Sequence, residues 1–304
     1  MKQKLKAGGV SVFSSGTTGS RAFSFLIFIG PIFLIYTLLF SFPFIRGLVL
    51  SFTDWNGVDP ELNFVGVRNY IQMFTTDEYF LPSIGRTFYI ALLNVVFTNV
   101  FAMLFAIALT SRFRLNNIWR AAIFMPNVIS MVVSGFIWKF MFTEIADNLT
   151  ELTGLQFFSH CWLGSPDLVA YSIVIVSVWW GLGYIMTIYI AGLMGIDNSM
   201  IEAAEIDGCG PWRSFFRIKL PSMLPVVTVG VFLNVSGSLK IFDTIYSLTG
   251  GGPGKASEVA MLNIYREAFV YDRFGYGTAK AVVLAVIIII ITLIQMRLTR
   301  GKEA

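Results

Sequence analysis

Residues 202–221 form one polar island, Glu-Ala-Ala-Glu-Ile-Asp-Gly-Cys-Gly-Pro-Trp-Arg-Ser-Phe-Phe-Arg-Ile-Lys-Leu-Pro, set between two long apolar stretches. Its acids (Glu202, Glu205, Asp207) precede its bases (Arg213, Arg217, Lys219), a composition suited to meeting a partner. A second group, Gly250-Gly251-Gly252-Pro253-Gly254-Lys255, invites a phosphate-binding reading, because glycine backbones can cradle phosphate oxygens. The spacing rejects it: Gly-x4-Gly-Lys-Ser/Thr needs Gly and Ser or Thr where Thr249 and Ala256 stand. The segment then reads as a compact turn, either with Gly250, Gly251, Gly252 and Pro253 as candidates under a docking surface for an external protein or as a purely structural turn. His160 and Cys161 are adjacent, but two ligands are half of a usual zinc set, so they read as structural or incidental and no metal is expected.

A third group is spread along apolar segments. Ser177, Trp180, Gly181 and Tyr184 recur at helical spacing and share one face, as do Asn234 and Ser238. Such a surface suits a sugar, whose rings stack on aromatic faces and whose hydroxyls bond Asn, Ser and Tyr. The competing reading is packing: Gly181 and Ser177 admitting a neighbouring helix, Asn234 bonding one. Lys240 and Asp243, three apart, are spaced to pair, with snorkelling the simpler role for Lys240.

The elements that position these groups are membrane helices. With 56% hydrophobic and 13% charged residues and a mean hydropathy of +0.72, the chain is too apolar for a soluble domain. Six stretches reach the roughly 20 apolar residues that a bilayer core demands: about 22–45, 87–110, 118–142, 168–194, 222–242 and 276–296. The fold class expected is all-α and integral to the membrane, with a mobile tail over 1–21 and the transmembrane domain over 22–300. The first apolar run exceeds the 7–15 residues of a signal peptide and no small-x-small cleavage site follows it, so it reads as a retained helix.

Charge orients the spans. Placing both termini in the cytoplasm puts Lys2, Lys4, Lys6 and Arg21; Arg112, Arg114 and Arg120; Arg213, Arg217 and Lys219; and Arg297, Arg300 and Lys302 inside, 13 of 22 basic residues. Loop 143–167, then outside, holds Glu144, Asp147, Glu151 and Asp167 and no Lys or Arg. The net charge of +4 is therefore topology, with nothing further to support nucleic-acid binding. Cys161 and Cys209 fall on opposite sides and cannot pair. The short loop 111–117 makes spans two and three antiparallel neighbours, and a short helix is expected near 68–80.

Within the island, which spans 197–221 as a loop, Ser199-x-x-Glu202 fits a capping box and predicts a helix start. Ala203, Ala204 and Glu205 favour helix, Gly208 and Gly210 end it, Pro211 suits the first turn of a second helix, and Pro221 marks the return to the membrane. An amphipathic hairpin resting on anionic headgroups would need neither Gly208 nor the paired alanines.

The run Glu202-Ala203-Ala204, Gly208, Ile218, Leu220-Pro221 resembles the EAA motif of membrane permease subunits in binding-protein-dependent ABC importers. Ser51 to Asn56, Phe64-Val65-Gly66, Asn69-Tyr70, Trp162 to Pro166, Ala191-Gly192-Leu193 and Leu248 to Gly254 are similar to the carbohydrate-uptake branch of that family, and the likeness runs from about 22 to 298. The resemblance implies a type I importer permease fold of six helices whose cytoplasmic coupling helix docks an ATPase through Glu202, Ala203, Ala204, Asp207, Gly208, Ile218, Leu220 and Pro221. It implies a prokaryotic cell membrane and, as partners, cytoplasmic ATPase subunits, a second homologous permease, an extracytoplasmic solute-binding protein, a sugar and surrounding lipid. The chain would hold no cofactor of its own, with ATP and Mg on the ATPase subunits, and would catalyse no covalent change.

Two rivals fare worse. An ion-gradient-driven secondary sugar transporter would carry a relay of acids in its spans and often an inverted repeat, and neither is visible. A membrane-embedded enzyme would cluster His, Asp or Glu at membrane depth, whereas His160 sits in a loop.

Overall fold

The computed structural model describes residues 18–110, 115–154 and 160–300, with side chains described over 27–110, 115–146, 148–154 and 160–297. Residues 1–17 of the expected tail, with Lys2, Lys4 and Lys6, and also Arg112, Arg114 and Lys302 of the charge argument, lie outside the described residues. Two units make up the chain, Met1–Leu50 and Ser51–Ala304. In the first, α1 (Thr18–Tyr36) and α2 (Phe42–Leu50) run on through a π-helical turn at Thr37–Ser41. Ile27–Leu50 is apolar around nearly its whole circumference and exposed along nearly all of it, as a helix dissolved in lipid must be.

The second unit begins with a polar platform. Thr53 pairs with Phe64 in an isolated antiparallel bridge, and α3 (Arg68–Thr75) follows. Buried Asn69 fastens the two, donating to the carbonyls of Ser51 and Thr53 at 2.9 Å each. Then come α4 (Phe80–Thr110), α5 (Asn116–Phe124), a 3-10 turn at Met125–Val128, α6 (Met131–Phe140), a π turn at Met141–Ile145 and α7 (Ala146–Thr153). After α8 (Val169–Met194) stand the short helices α9 (Asn198–Ile206), α10 (Pro211–Ser214) and α11 (Leu220–Ser222), the last two joined by a π turn at Phe215–Lys219. The chain closes with α12 (Leu224–Ser238), α13 (Asp243–Leu248), α14 (Ala260–Phe269) and α15 (Phe274–Arg300).

Four helical stretches are long, apolar and unbroken enough to cross a bilayer, Ile27–Leu50, Phe80–Thr110, Val169–Met194 and Phe274–Arg297; counting each of two bent pairs as one span gives up to six. Asn116–Val128 meets Met131–Ile145 at 99°, and Pro211–Ser222 meets Leu224–Ser238 at 71°. The first bend falls where Ile129 and Ser130 turn extended just after the 3-10 turn that holds Pro126, and Pro225 sits in the first turn after the second break. The first break leaves the Ile129 carbonyl free, and the Trp180 indole N–H donates to it at 2.8 Å.

The core sits around α8, which packs along α4 for most of its length. Spans two and three, expected as neighbours from their short loop, meet less closely: α5 lies mainly on α8 and the adjoining 3-10 turn. Glycine permits that contact, since a Cβ on Gly183 would overlap the Ile123 carbonyl and the Phe124 backbone. One buried cluster gathers Ile90, Ile173, Val176, Ile245 and Leu262, and another Ala102, Ala106, Met186, Tyr189 and Met223.

Candidate functional site

Between α4, α8 and α12 lies a cavity of about 420 Å³. Every path candidate reaches its wall: Ser177, Trp180, Gly181 and Tyr184 from α8, Asn234 and Ser238 from α12. Asn94 and Thr98 of α4 and Asn127 of the 3-10 turn, which sequence reasoning passed over, line it too. An Asn in an apolar helix signals only that it faces protein; which protein face depends on the α4–α8 packing.

The polar groups are partly committed to one another. Asn94 Nδ2 donates to Ser238 Oγ at 2.8 Å and to Asn234 Oδ1 at 3.3 Å, and Ser238 Oγ donates to Asn234 Oδ1 at 3.1 Å. Thr98 Oγ1 completes the set by donating to Asn94 Oδ1 at 3.2 Å. Asn234 Nδ2 is buried without a partner, so the network keeps a spare donor. Ser177 Oγ is turned back onto the Ile173 carbonyl of its own helix at 2.8 Å and offers no free proton. Asn234 therefore bridges helices as well as lining the cavity. Gly181 does not serve close packing, for nothing lies within 4 Å of a Cβ built there.

Two aromatic side chains flank this network. The Trp180 indole is anchored through its nitrogen, which leaves its ring as a fixed wall, and Tyr184 is exposed beside it. At the end of α12, Lys240 and Asp243 line the same cavity with Phe242. Of the two roles open to Lys240, pairing is not the one adopted: both residues are exposed, and among the described residues no ion pair joins them. Helix α12 ends at Ser238 and α13 begins only at Asp243, so an i,i+3 spacing does not place Lys240 and Asp243 on one helical face.

The polar island is a helical hairpin. Its first arm is α9, and its second is the continuous run Pro211–Ser222. The helix start shifts relative to the expected capping box. Asp197, not Ser199, is the N-cap, and its carboxylate accepts from the Ser199 backbone N–H at 2.9 Å. That bond holds the Asp197 carboxyl below its usual pKa. Asp prevails because its fixed charge also meets the positive end of the helix. Ala204 is buried and Glu202, Ala203, Asp207 and Gly208 are exposed, with Gly208 in the left-handed region at φ +75°. Ile218 and Leu220 are half-buried on the second arm, and Pro221 is exposed.

Gly250 and Gly251 turn at φ +58° and +88°. The turn is held from within: Ser257 Oγ donates to the Gly252 carbonyl at 2.6 Å, the Gly251 N–H donates to Thr249 Oγ1 at 3.1 Å, and the Arg266 guanidinium reaches both the Gly250 carbonyl and the Glu258 carboxylate. Pro253 is half-buried beside it. His160 and Cys161 lie in the loop before α8, and no group of three His, Cys, Asp or Glu gathers among the described residues.

The family model of the binding-protein-dependent transport system inner membrane component matches residues 98–303. The chain is 36% identical over 277 residues to the probable starch degradation products transport system permease protein AmyD of Thermoanaerobacterium thermosulfurigenes, covering 91% of this chain and 94% of that one. To the multiple sugar-binding transport system permease protein MsmF of Streptococcus mutans it is 30% identical, covering 89% and 93%. In fold it resembles a chain of a bacterial ABC transporter that imports the acidic polysaccharide alginate, with a TM-score of 0.80 at 20% identity over 93% of this chain and 96% of that one. With its long apolar helices, two bent helix pairs and polar helical hairpin, this chain belongs to the inner membrane components of binding-protein-dependent transport systems, as a multi-pass permease subunit of an ABC importer.

Proposed function

We propose that this permease forms, with a second homologous permease, the path for a sugar or oligosaccharide handed over by an extracytoplasmic binding protein, both its termini lying in the cytoplasm. One observation carries the substrate class: a single cavity presents the Trp180 and Tyr184 rings together with the Asn94–Asn234–Ser238 network. Saccharides need that combination of aromatic faces and neutral hydrogen-bonding groups. The names of the relatives, which speak of starch degradation products and multiple sugars, agree with it.

Energy enters through separate ATPase subunits, which hold ATP and Mg. The hairpin is their handle: α9 offers exposed Ile206, Ala203 and Glu202, with Asp207 and Gly208 just past its end. A rigid helix seated in a groove of a moving ATPase transmits displacement to α8 and α12, between which the cavity lies, and so turns it from one side of the membrane to the other. On the other side, the internally bonded turn Gly250–Pro253 gives a binding protein a preformed surface. That an alginate transporter of similar fold has been solved with a pentasaccharide-bound periplasmic protein supports this reading.

The test is uptake of a panel of labelled saccharides by cells lacking or carrying this chain, and by cells carrying Gly208→Asp. ATP depletion and collapse of ion gradients are applied separately. One saccharide that requires the chain, ATP and Gly208 but not the gradient supports the proposal; uptake that follows the gradient and ignores Gly208 overturns it.

A further inference from the structure

We propose that the two arms of the hairpin have different partners: α9 meets the ATPase, whereas Pro211–Ser222 is an interfacial anchor that binds anionic lipid headgroups of the cytoplasmic leaflet. The inference rests on the cytoplasmic placement proposed above.

Three observations carry it. The second arm meets α12 at a 71° bend after a break of one residue, so where α12 runs across the bilayer this arm is inclined steeply toward the membrane plane. Its outer face is aromatic and basic. Trp212 is 76% exposed and Phe216 58% exposed, their rings stacked with centroids 6.3 Å apart and planes 16° from parallel. Arg213 and Arg217, both exposed, stand beside them at the same four-residue spacing, while Ser214 is buried and Ile218 half-buried on the inner face. Aromatic rings at headgroup depth with arginines reaching phosphates are the composition that the interface selects.

Charge divides the arms completely. From Asp197 to Asp207 the hairpin carries Asp197, Glu202, Glu205 and Asp207 and no basic residue; from Pro211 to Ser222 it carries Arg213, Arg217 and Lys219 and no acid. A negative leaflet attracts the second arm and repels the first. Gly208, unneeded by a hairpin lying wholly on lipid, is then the joint between an arm held in the leaflet and an arm presented to the ATPase. An ATPase needs no share of the aromatic pair, because Ile206 (87% exposed) and Met200 (51%) give α9 its own apolar contacts.

The test uses the whole transporter, assembled with its partner permease and ATPase subunits, in vesicles of phosphatidylcholine alone or with phosphatidylglycerol. Nitroxide labels are placed by Phe216→Cys or Glu205→Cys in a Cys161→Ser/Cys209→Ser background. The label at 216 is expected to relax with oxygen and resist a water-soluble nickel chelate, with and without the ATPase, while the label at 205 is shielded only when the ATPase is present. Arg213→Gln/Arg217→Gln is expected to move the 216 label toward water and abolish any rise in transport with phosphatidylglycerol. A 216 label that the chelate reaches until the ATPase covers it overturns the proposal and makes the second arm an ATPase surface. A 205 label that the ATPase never shields instead shows that the placement of the hairpin is wrong, and the inference falls with it.

Discussion

Lys280 Nζ lies 2.6 Å from Asp77 Oδ2, with side-chain exposures of 0% and 8%. The pair ties α15 to the turn that starts α4. Glu267 Oε1 of α14 at 2.9 Å and Asn263 Oδ1 at 2.7 Å complete the shell around the ammonium, and the rings of Phe80 and Tyr276 flank it. Arg273 in turn reaches Glu267 at 3.3 Å. Lys280→Met would take from buried Asp77 its ion-pair partner and leave Glu267 with Arg273 alone, at a cost of about 3–5 kcal/mol. The expected outcome is a lower melting temperature in detergent and poor yield, with Lys255→Ala on the neighbouring Gly loop far milder.

Asp77 also sets a pH dependence. Burial pushes its carboxyl up, but hydrogen bonds from Lys280, Tyr276 and the Tyr79 backbone, with the charge of Lys280, prevail and hold it at about 2 against the usual 3.8. A lowered native value means stability that is fully present above the unfolded value and lost as the pH falls from about 4 to about 2. Thermal unfolding followed down that range should show the loss, and Asp77→Asn should start less stable and lack this component.

Two glycines two residues apart on α8, Gly181 and Gly183, should behave oppositely. Gly183→Ala drives a methyl into the Ile123 carbonyl and costs about 1–3 kcal/mol as overpacking. Gly181→Ala meets nothing within 4 Å, so thermal stability should hold while its methyl narrows the cavity.

Tyr184 has an exposed ring on the cavity wall. Tyr184→Ala should remove about 1 kcal/mol of aromatic contact, about a fivefold fall in the initial rate of saccharide uptake. Copurification with the ATPase subunits should be unchanged, because the hairpin is untouched.

Gly208→Ala meets no steric obstacle, and its cost is the left-handed backbone alone, about 1–2 kcal/mol. Assembly should survive and ATP-coupled uptake should fall. Unimpaired uptake in this variant would show that the hairpin turn tolerates other conformations.

Composition and hydropathy alone determine that this chain dwells in a membrane, because no soluble core could absorb so much apolar surface. The order Glu202-Ala203-Ala204, Gly208, Pro211 alone determines a helix, a left-handed joint and a second helix, since each rests on local backbone preference. Ser177, Trp180, Gly181 and Tyr184 are equally legible as one helical face. What that face meets is not, because apolar spans are alike to one another until packed. Only the tertiary structure brings Asn94 of α4 against Asn234 and Ser238 of α12 to close the cavity, frees the Ile129 carbonyl for Trp180, and shows Ser177 bonded to its own helix. Lys280 is the plainest case: an ammonium inside an apolar run signals a partner without naming it. Its carboxylates come from Asp77 and Glu267, distant segments that meet only because burying a charge in a membrane protein demands that the fold deliver its counter-charge.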